Sequence, residues 1–207
     1  NDGLHYAMGY CGSGVGMAGY LGMLPDSTQP AARGLFFSIP GTRGPANSLR
    51  ELANYYKRAD SVGFIPELSL FLVSDVATDS AIAMTTQYDW IIDSIAAMSK
   101  THGRRMFLRI GGEFNGAGPG WNGGGYHPYI FVTMFQKIVD RFAAKGMRDS
   151  IATIWCYEPD APNDFDSTDG RGARWYPGDS YVDWFGIDVF NVEHFDQALP
   201  DYVRGAI

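Results

Sequence analysis

The stretch that decides the fold runs from Arg105 to Cys156. It reads RMFLRI (105–110), GGEFNGAGPGWNGGGYH (111–127), PYIFVTMFQKIVDRFAAK (128–145), GMRDS (146–150) and IATIWC (151–156). A short apolar run leaves through a long glycine-rich loop. An amphipathic pattern of helical period follows, closed by Gly146, and a brief turn leads into a second apolar run. Two strands joined through a helix in this way are parallel, with a right-handed crossover.

The same unit recurs on both sides of this stretch. Leu4–Tyr10, Gly34–Ile39, Phe64–Val73, Arg105–Ile110, Ile151–Cys156 and Val182–Phe190 read as strands. Ser48–Ser61, Thr85–Thr101 and Pro128–Lys145 read as helices, and Glu193–Ala206 as the start of another. Such a chain can close as an open doubly wound sheet or as a barrel. The connections favour the barrel. Gly111–His127 and Tyr157–Tyr181, which follow strands, are long and polar, whereas Gly103–Arg104 and Gly146–Ser150, which precede them, are short. Barrel enzymes carry their elaborated loops on the C-terminal face of the strands. The expected fold is therefore α/β, an incomplete (β/α)8 TIM barrel with about six units. Residues 1–207 form one partial domain in this reading. The remaining units are expected beyond Ile207, and further residues before Asn1.

Composition narrows the partners. The chain has 207 residues and a net charge of −7 from 16 basic and 23 acidic side chains, which disfavours nucleic acid and anionic membranes. Aromatic residues make up 14%, which suits stacking against neutral sugars. Cys11 and Cys156 are too few for a disulfide scaffold and lack zinc-site spacing, so two buried structural thiols are expected. No apolar run is long enough for a membrane span. His5, His102, His127 and His194 are scattered, without metal or triad spacing, so neither a metal nor a cofactor is expected.

The candidate catalytic group is Glu113, just past the strand 105–110 and beside Phe114. Burial there would raise its pKa, as a general acid requires. Arg109, inside that strand, would point into the barrel and hold or orient a carboxylate. A structural ion pair between Arg109 and Glu113 is the alternative. Asn115 offers an amide to a sugar hydroxyl, and Trp121 and Tyr126 offer stacking faces; Tyr129 reads rather as helix packing. Trp155 is expected to project toward the substrate end, with Asp188 and Phe190 closing the last strand. Glu158, Asp160, Asp188 and Asp75 are further carboxylates available as a second acid. Glu67, inside its strand, is expected not to reach substrate. Gly14, Gly16 and Gly19 match GxGxxG, but the following strand ends Phe37-Ser38-Ile39-Pro40 with no acid for a ribose. HYAMGYCGSGVGMAGYLG (5–22) is also similar to a segment of flavin-dependent amine oxidases, so a flavin or nicotinamide site is a minor alternative.

Three segments carry a family resemblance: FLRIGGEFNG (107–116), IATIWCYEPD (151–160) and RWYPGDSYVDWFGIDVF (174–190). From about residue 34 onward the chain resembles the glycoside hydrolase family 26-like enzymes of clan A. The resemblance implies a secreted retaining β-glycanase acting on mannan or glucan, with a polysaccharide or oligosaccharide substrate and a monomeric state. Glu113 falls at the family's general acid/base. The family usually has His before this Glu and Asn two residues after it; here the positions hold Gly112 and Asn115. The family's nucleophile, a second Glu on a later strand, is expected beyond Ile207, so the 207-residue piece should be inactive alone. Inversion with Asp188 or Glu158 as base, and a non-catalytic carbohydrate-binding barrel, are the other readings.

Overall fold

The computed structural model describes residues 19, 22–25, 30–39, 44–71, 76–111, 128–157 and 175–187. In chain order these form β1 (Ala32–Ser38), α1 (Pro45–Val62), β2 (Ile65–Phe71), α2 (Val76–Met84), α3 (Asp89–His102), β3 (Met106–Ile110), α4 (Pro128–Ala144), β4 (Ile151–Tyr157) and β5 (Trp184–Ile187). The expected strand at Leu4–Tyr10 and helix at Glu193–Ala206 lie outside the described residues.

The strands form one sheet in the order β1-β2-β3-β4-β5, every pair parallel. This order never reverses, so right-handed crossovers put every helix on the same face. A doubly wound sheet would need a reversal to coat both faces. A single helical layer over a one-directional parallel sheet is a barrel wall, and the fold is an incomplete (β/α)8 barrel.

Register separates the two faces, because paired residues in a parallel sheet share a side. Leu35, Phe37, Leu68, Leu70, Met106, Leu108 and Ile110 form the helix-facing side. Helix α4 covers much of it with Phe131, Met134, Phe135, Ile138, Val139 and Phe142, all buried. Their spacing of three, four, seven, eight and eleven residues from Phe131 makes one apolar stripe. Burying each such side chain contributes roughly 1.5–3 kcal/mol. The opposite face, the barrel interior, carries Phe36, Glu67, Ser69, Phe107, Arg109, Ile154 and Trp184. Trp184 remains 58% exposed and Phe36 43%, as expected where part of the wall is missing.

A polar side chain reaches from the helix layer into the sheet. Tyr55 of α1 accepts a hydrogen bond from the Glu67 N–H at 3.0 Å and donates to the Arg33 carbonyl. It stands between β1 and β2 beside the Arg33–Pro66 pair, where Pro66 has no N–H to give the ladder. Burial pushes its phenol above the usual range, so it serves as a neutral donor.

The helix expected over Thr85–Thr101 is α3, and a further short helix, α2, precedes it. Thr85 ends α2, its hydroxyl donating to the Ala81 carbonyl and accepting from the Gln87 N–H. Lys137 of α4 holds the junction, donating to the carbonyls of Ile82 and Thr85 and pairing with Asp89 at 2.6 Å. A cation on the last carbonyls of one helix and an acid in the first turn of the next both follow the helix dipole. The segment 76–84 (VATDSAIAM) lacks the long apolar stripe that marks the other helices, which is why the sequence pattern passes over it.

Candidate active site

The C-terminal end of β3 leads toward the candidate catalytic group. Gly111 closes the strand, its N–H donating to the Leu70 carbonyl at 2.9 Å. Its φ is +80°, and a Cβ there would stand 2.5 Å from Cε2 of Phe131. Only glycine meets both demands. The strand therefore stops against the first turn of α4, and the chain turns away at the end where barrel enzymes keep their chemistry.

Of the expected site residues, Arg109 and Trp155 lie within the described residues. Glu113, Asn115, Trp121, Tyr126, Asp188 and Phe190 lie outside them, as do Glu158, Asp160, Asp75, Gly14, Gly16, Cys11, His5, His127 and His194. Cys156 is buried on the interior face.

Arg109 is on the interior face, paired in register with Ser69, and only 4% exposed. Glu67 shares that face one step toward the N-terminal end of the sheet, in register with Phe107 and fully buried. Ser69 donates to its Oε1 at 3.3 Å. Among the described residues, Glu67 and Arg109 are the charged side chains of the buried set. Burying a charge is costly unless an opposite charge compensates it. The polar–apolar alternation of Glu67, Leu68, Ser69 and Leu70 already marks residues 67 and 69 as one face, but it does not say that this face lines the barrel.

Trp155 requires a correction. It is in register with Phe185, and Leu108 with Thr153, so Trp155 lies on the helix-facing side, away from the interior. There it is buried, its indole N–H donating to the Trp175 carbonyl at 3.2 Å, with Tyr176 and Phe185 packed edge-on. Its neighbours Ile154 and Cys156 face inward instead. They crowd Gly186, where a Cβ would come within 3.0 Å of Ile154 and 3.1 Å of the Cys156 sulfur.

The run 181–187 is held by a clamp that sequence reading missed. Asp183 takes two hydrogen bonds from Arg148, at 2.9 and 3.0 Å, and one from the Thr153 N–H at 2.8 Å. Partial burial opposes its ionisation, but Arg148 and Thr153 outweigh this and hold its carboxyl below the usual carboxylate range. The clamp lies at the start of β5, opposite the catalytic end. Among the described residues no three metal-ligating side chains cluster, and no helix is long and apolar enough to cross a membrane.

Comparison with known proteins agrees with this wall. Residues 74–201, more than half of the chain, match the glycosyl hydrolase family 26 model. A β-1,3-xylanase of Vibrio sp is 27% identical over 147 residues, covering 70% of this chain and 27% of the relative. The solved Bacillus subtilis mannanase aligns with a TM-score of 0.55 at 18% identity, over 78% of this chain and 55% of the mannanase. A modular endo-β-1,4-mannanase from Cellulomonas fimi gives 0.57 at 19% identity, over 78% and 41%. The chain thus spans about a quarter of the length of its curated xylanase relative and about half that of the solved mannanases. At these identities the solved structures establish the fold, while the family match covers the sequence on both sides of β3 and β4. This chain belongs to glycosyl hydrolase family 26.

Proposed function

We propose that this domain, in its full-length protein, hydrolyses O-glycosidic bonds of a β-linked polysaccharide of mannan or glucan type with retention of configuration. Glu113 is the general acid/base. The observation that carries this reading is the end of β3: Glu113 follows Ile110, its last residue, by three positions, after a turn that admits only glycine. Membership of family 26 supports the reaction class.

In the retaining mechanism Glu113 protonates the leaving oxygen while a second carboxylate attacks the anomeric carbon, forming a glycosyl-enzyme bond. Glu113 then takes a proton from the water that hydrolyses it. The nucleophile is a Glu on a later strand of the full-length chain. Arg109 orients a carboxylate from the interior face. Asn115, Trp121, Tyr126, Asp188 and Phe190 bind substrate through hydrogen bonds and stacking. Trp155 has no part in this, since it packs behind the sheet. The protein acts outside the cell, as a monomer.

Replacing Glu113 by Gln in the full-length protein should lower kcat on β-mannan or β-glucan by roughly 10²–10⁴-fold. Polysaccharide affinity should be kept. Wild-type rates in Glu113→Gln would overturn the assignment, and affinity with no hydrolysis by the parent protein would favour a binding barrel. A second substrate reading, β-1,3-xylan, is favoured by the Vibrio relative. Parallel assays on the three polysaccharides decide between them.

A further inference from the structure

Helices α1 and α3 lie side by side in the outer layer, and a groove of about 350 Å3 opens between their C-terminal halves. These ends lead into the starts of β2 and β3, so the groove is on the outside of the wall, at the opposite end of the strands from Gly111. Along α1 its lining runs from Ala53 to Asp60, about 10 Å of helix. Ala53, Ala97 and Met98 make up much of its apolar surface.

The polar end of the groove is pre-organised. The His102 side chain is 1% exposed and stacks on the Tyr56 ring at 4.8 Å, while the Tyr56 hydroxyl stands 2.6 Å from Ser99 Oγ. His102 Nδ1 is 3.1 Å from Asp60 Oδ1, off the line of a hydrogen bond, and Arg104 Nε pairs with the same oxygen at 3.3 Å. Both contacts thus fall on one oxygen of Asp60. Among the described residues its Oδ2 makes no hydrogen bond or ion pair, and neither does the ammonium of Lys57. Thr101 donates to the Ala97 carbonyl, which leaves its hydroxyl oxygen able to accept.

This pattern selects the occupant. An apolar helix laid in the groove would strip water from Lys57 and Asp60 and return no hydrogen bond, which is costly. An anion would meet Asp60, and a cation would meet Lys57 and Arg104. A neutral polyhydroxy ring suits both parts: its hydroxyls satisfy the polar groups, and its C–H face covers the alanines and Met98. We propose that the groove between α1 and α3 binds a neutral oligosaccharide segment of the polysaccharide, with Asp60 Oδ2 accepting from one hydroxyl and Lys57 donating to another. This rests on the reading of the full-length protein as a polysaccharide hydrolase. A polymer gripped here stays at the protein surface between cleavages, whereas an oligosaccharide too short to reach beyond the catalytic end gains nothing.

The test compares long and short substrates in the full-length enzyme. Lys57→Ala removes the donor at an exposed helix position, where alanine is a good helix former. Ala97→Leu fills the groove from an exposed position of α3. Lys57→Ala should raise KM on the polysaccharide that the parent cleaves by roughly three- to tenfold, and Ala97→Leu should do the same. Affinity electrophoresis in gels containing that polymer should show weaker retardation of both variants. On a short oligosaccharide cut from it, kcat and KM should keep their wild-type values. Wild-type KM on the polymer in either variant overturns the proposal, as do equal losses on polymer and short oligosaccharide. If Ala97→Leu does not fold, Lys57→Ala decides alone. A parent protein that cleaves none of β-mannan, β-glucan and β-1,3-xylan fails the functional reading. A parent that cleaves one of them while the variants match it on polymer fails this site only.

Discussion

Gly111 and Tyr55 show how much of this wall depends on single atoms. At Gly111 a methyl group has no room, because the Phe131 ring occupies its place and the backbone lies in the left-handed region. Gly111→Ala should therefore cost about 1–2 kcal/mol for the backbone alone, and more for displacing the ring. Thermal unfolding would show this as a lower Tm. Activity of the full-length enzyme should fall further than the stability loss explains, since the exit toward Glu113 shifts with it. At Tyr55 the hydroxyl replaces a ladder contact beside Pro66. Tyr55→Phe keeps the packing but leaves the Glu67 N–H and the Arg33 carbonyl without that partner. A destabilisation of about 1–3 kcal/mol is expected, read from denaturant midpoints at unchanged m-value.

At the scale of elements, ion pairs fix how neighbouring pieces meet. Asp89 and Asp93 of α3 face Lys137 and Arg141 of α4 and Lys145 just past its end, with contacts from 2.6 to 3.3 Å. Asp183 ties the start of β5 to Arg148 and β4. For both Asp93 and Asp183, partial burial opposes ionisation but the facing cations outweigh it, so their carboxyls titrate below the ordinary range. The sign follows directly. A carboxyl whose folded pKa is depressed adds stability above the unfolded value of about 3.9, and that stability is lost as pH falls through the lower folded value. Asp183→Asn should thus lower Tm at pH 7, and the gap to the wild type should close on acidification below about pH 4. A gap that is constant with pH would assign Asp183 a packing role instead. Lys137→Met should speed amide exchange at the α2–α3 junction, residues 83–89, more than elsewhere, because it releases two carbonyls and one carboxylate together.

At the scale of the whole molecule, the sheet is a wall whose inner side awaits the rest of the barrel. Phe36, Ile65 and Trp184 are large apolar groups exposed on that side. A polypeptide of residues 1–207 should bind an apolar dye such as ANS more strongly than the full-length protein does. It should also show no polysaccharide hydrolysis if, as proposed, the nucleophile lies on a later strand. Hydrolysis by the isolated piece would displace that strand from the mechanism.

Strand order and parallel direction were legible because both follow from local facts: short apolar runs, amphipathic helices between them, and loops long on one side only. The family was legible for the same reason, in the segments 107–116, 151–160 and 174–190. Face and partnership were not. Trp155 sits in an apolar run in which every residue is hydrophobic or Thr153, so no polar alternation tells its two sides apart; pairing with Phe185 on β5 sends it behind the sheet. That Glu67 and Arg109 share the interior face is not recorded in chain order; it arises when β2 and β3 pair. Asp183 and Arg148, 35 residues apart, find each other the same way. Local chemistry sets which elements form; which side chains share a face is set by pairing between strands distant in the chain, where a shift of one residue turns every side chain over.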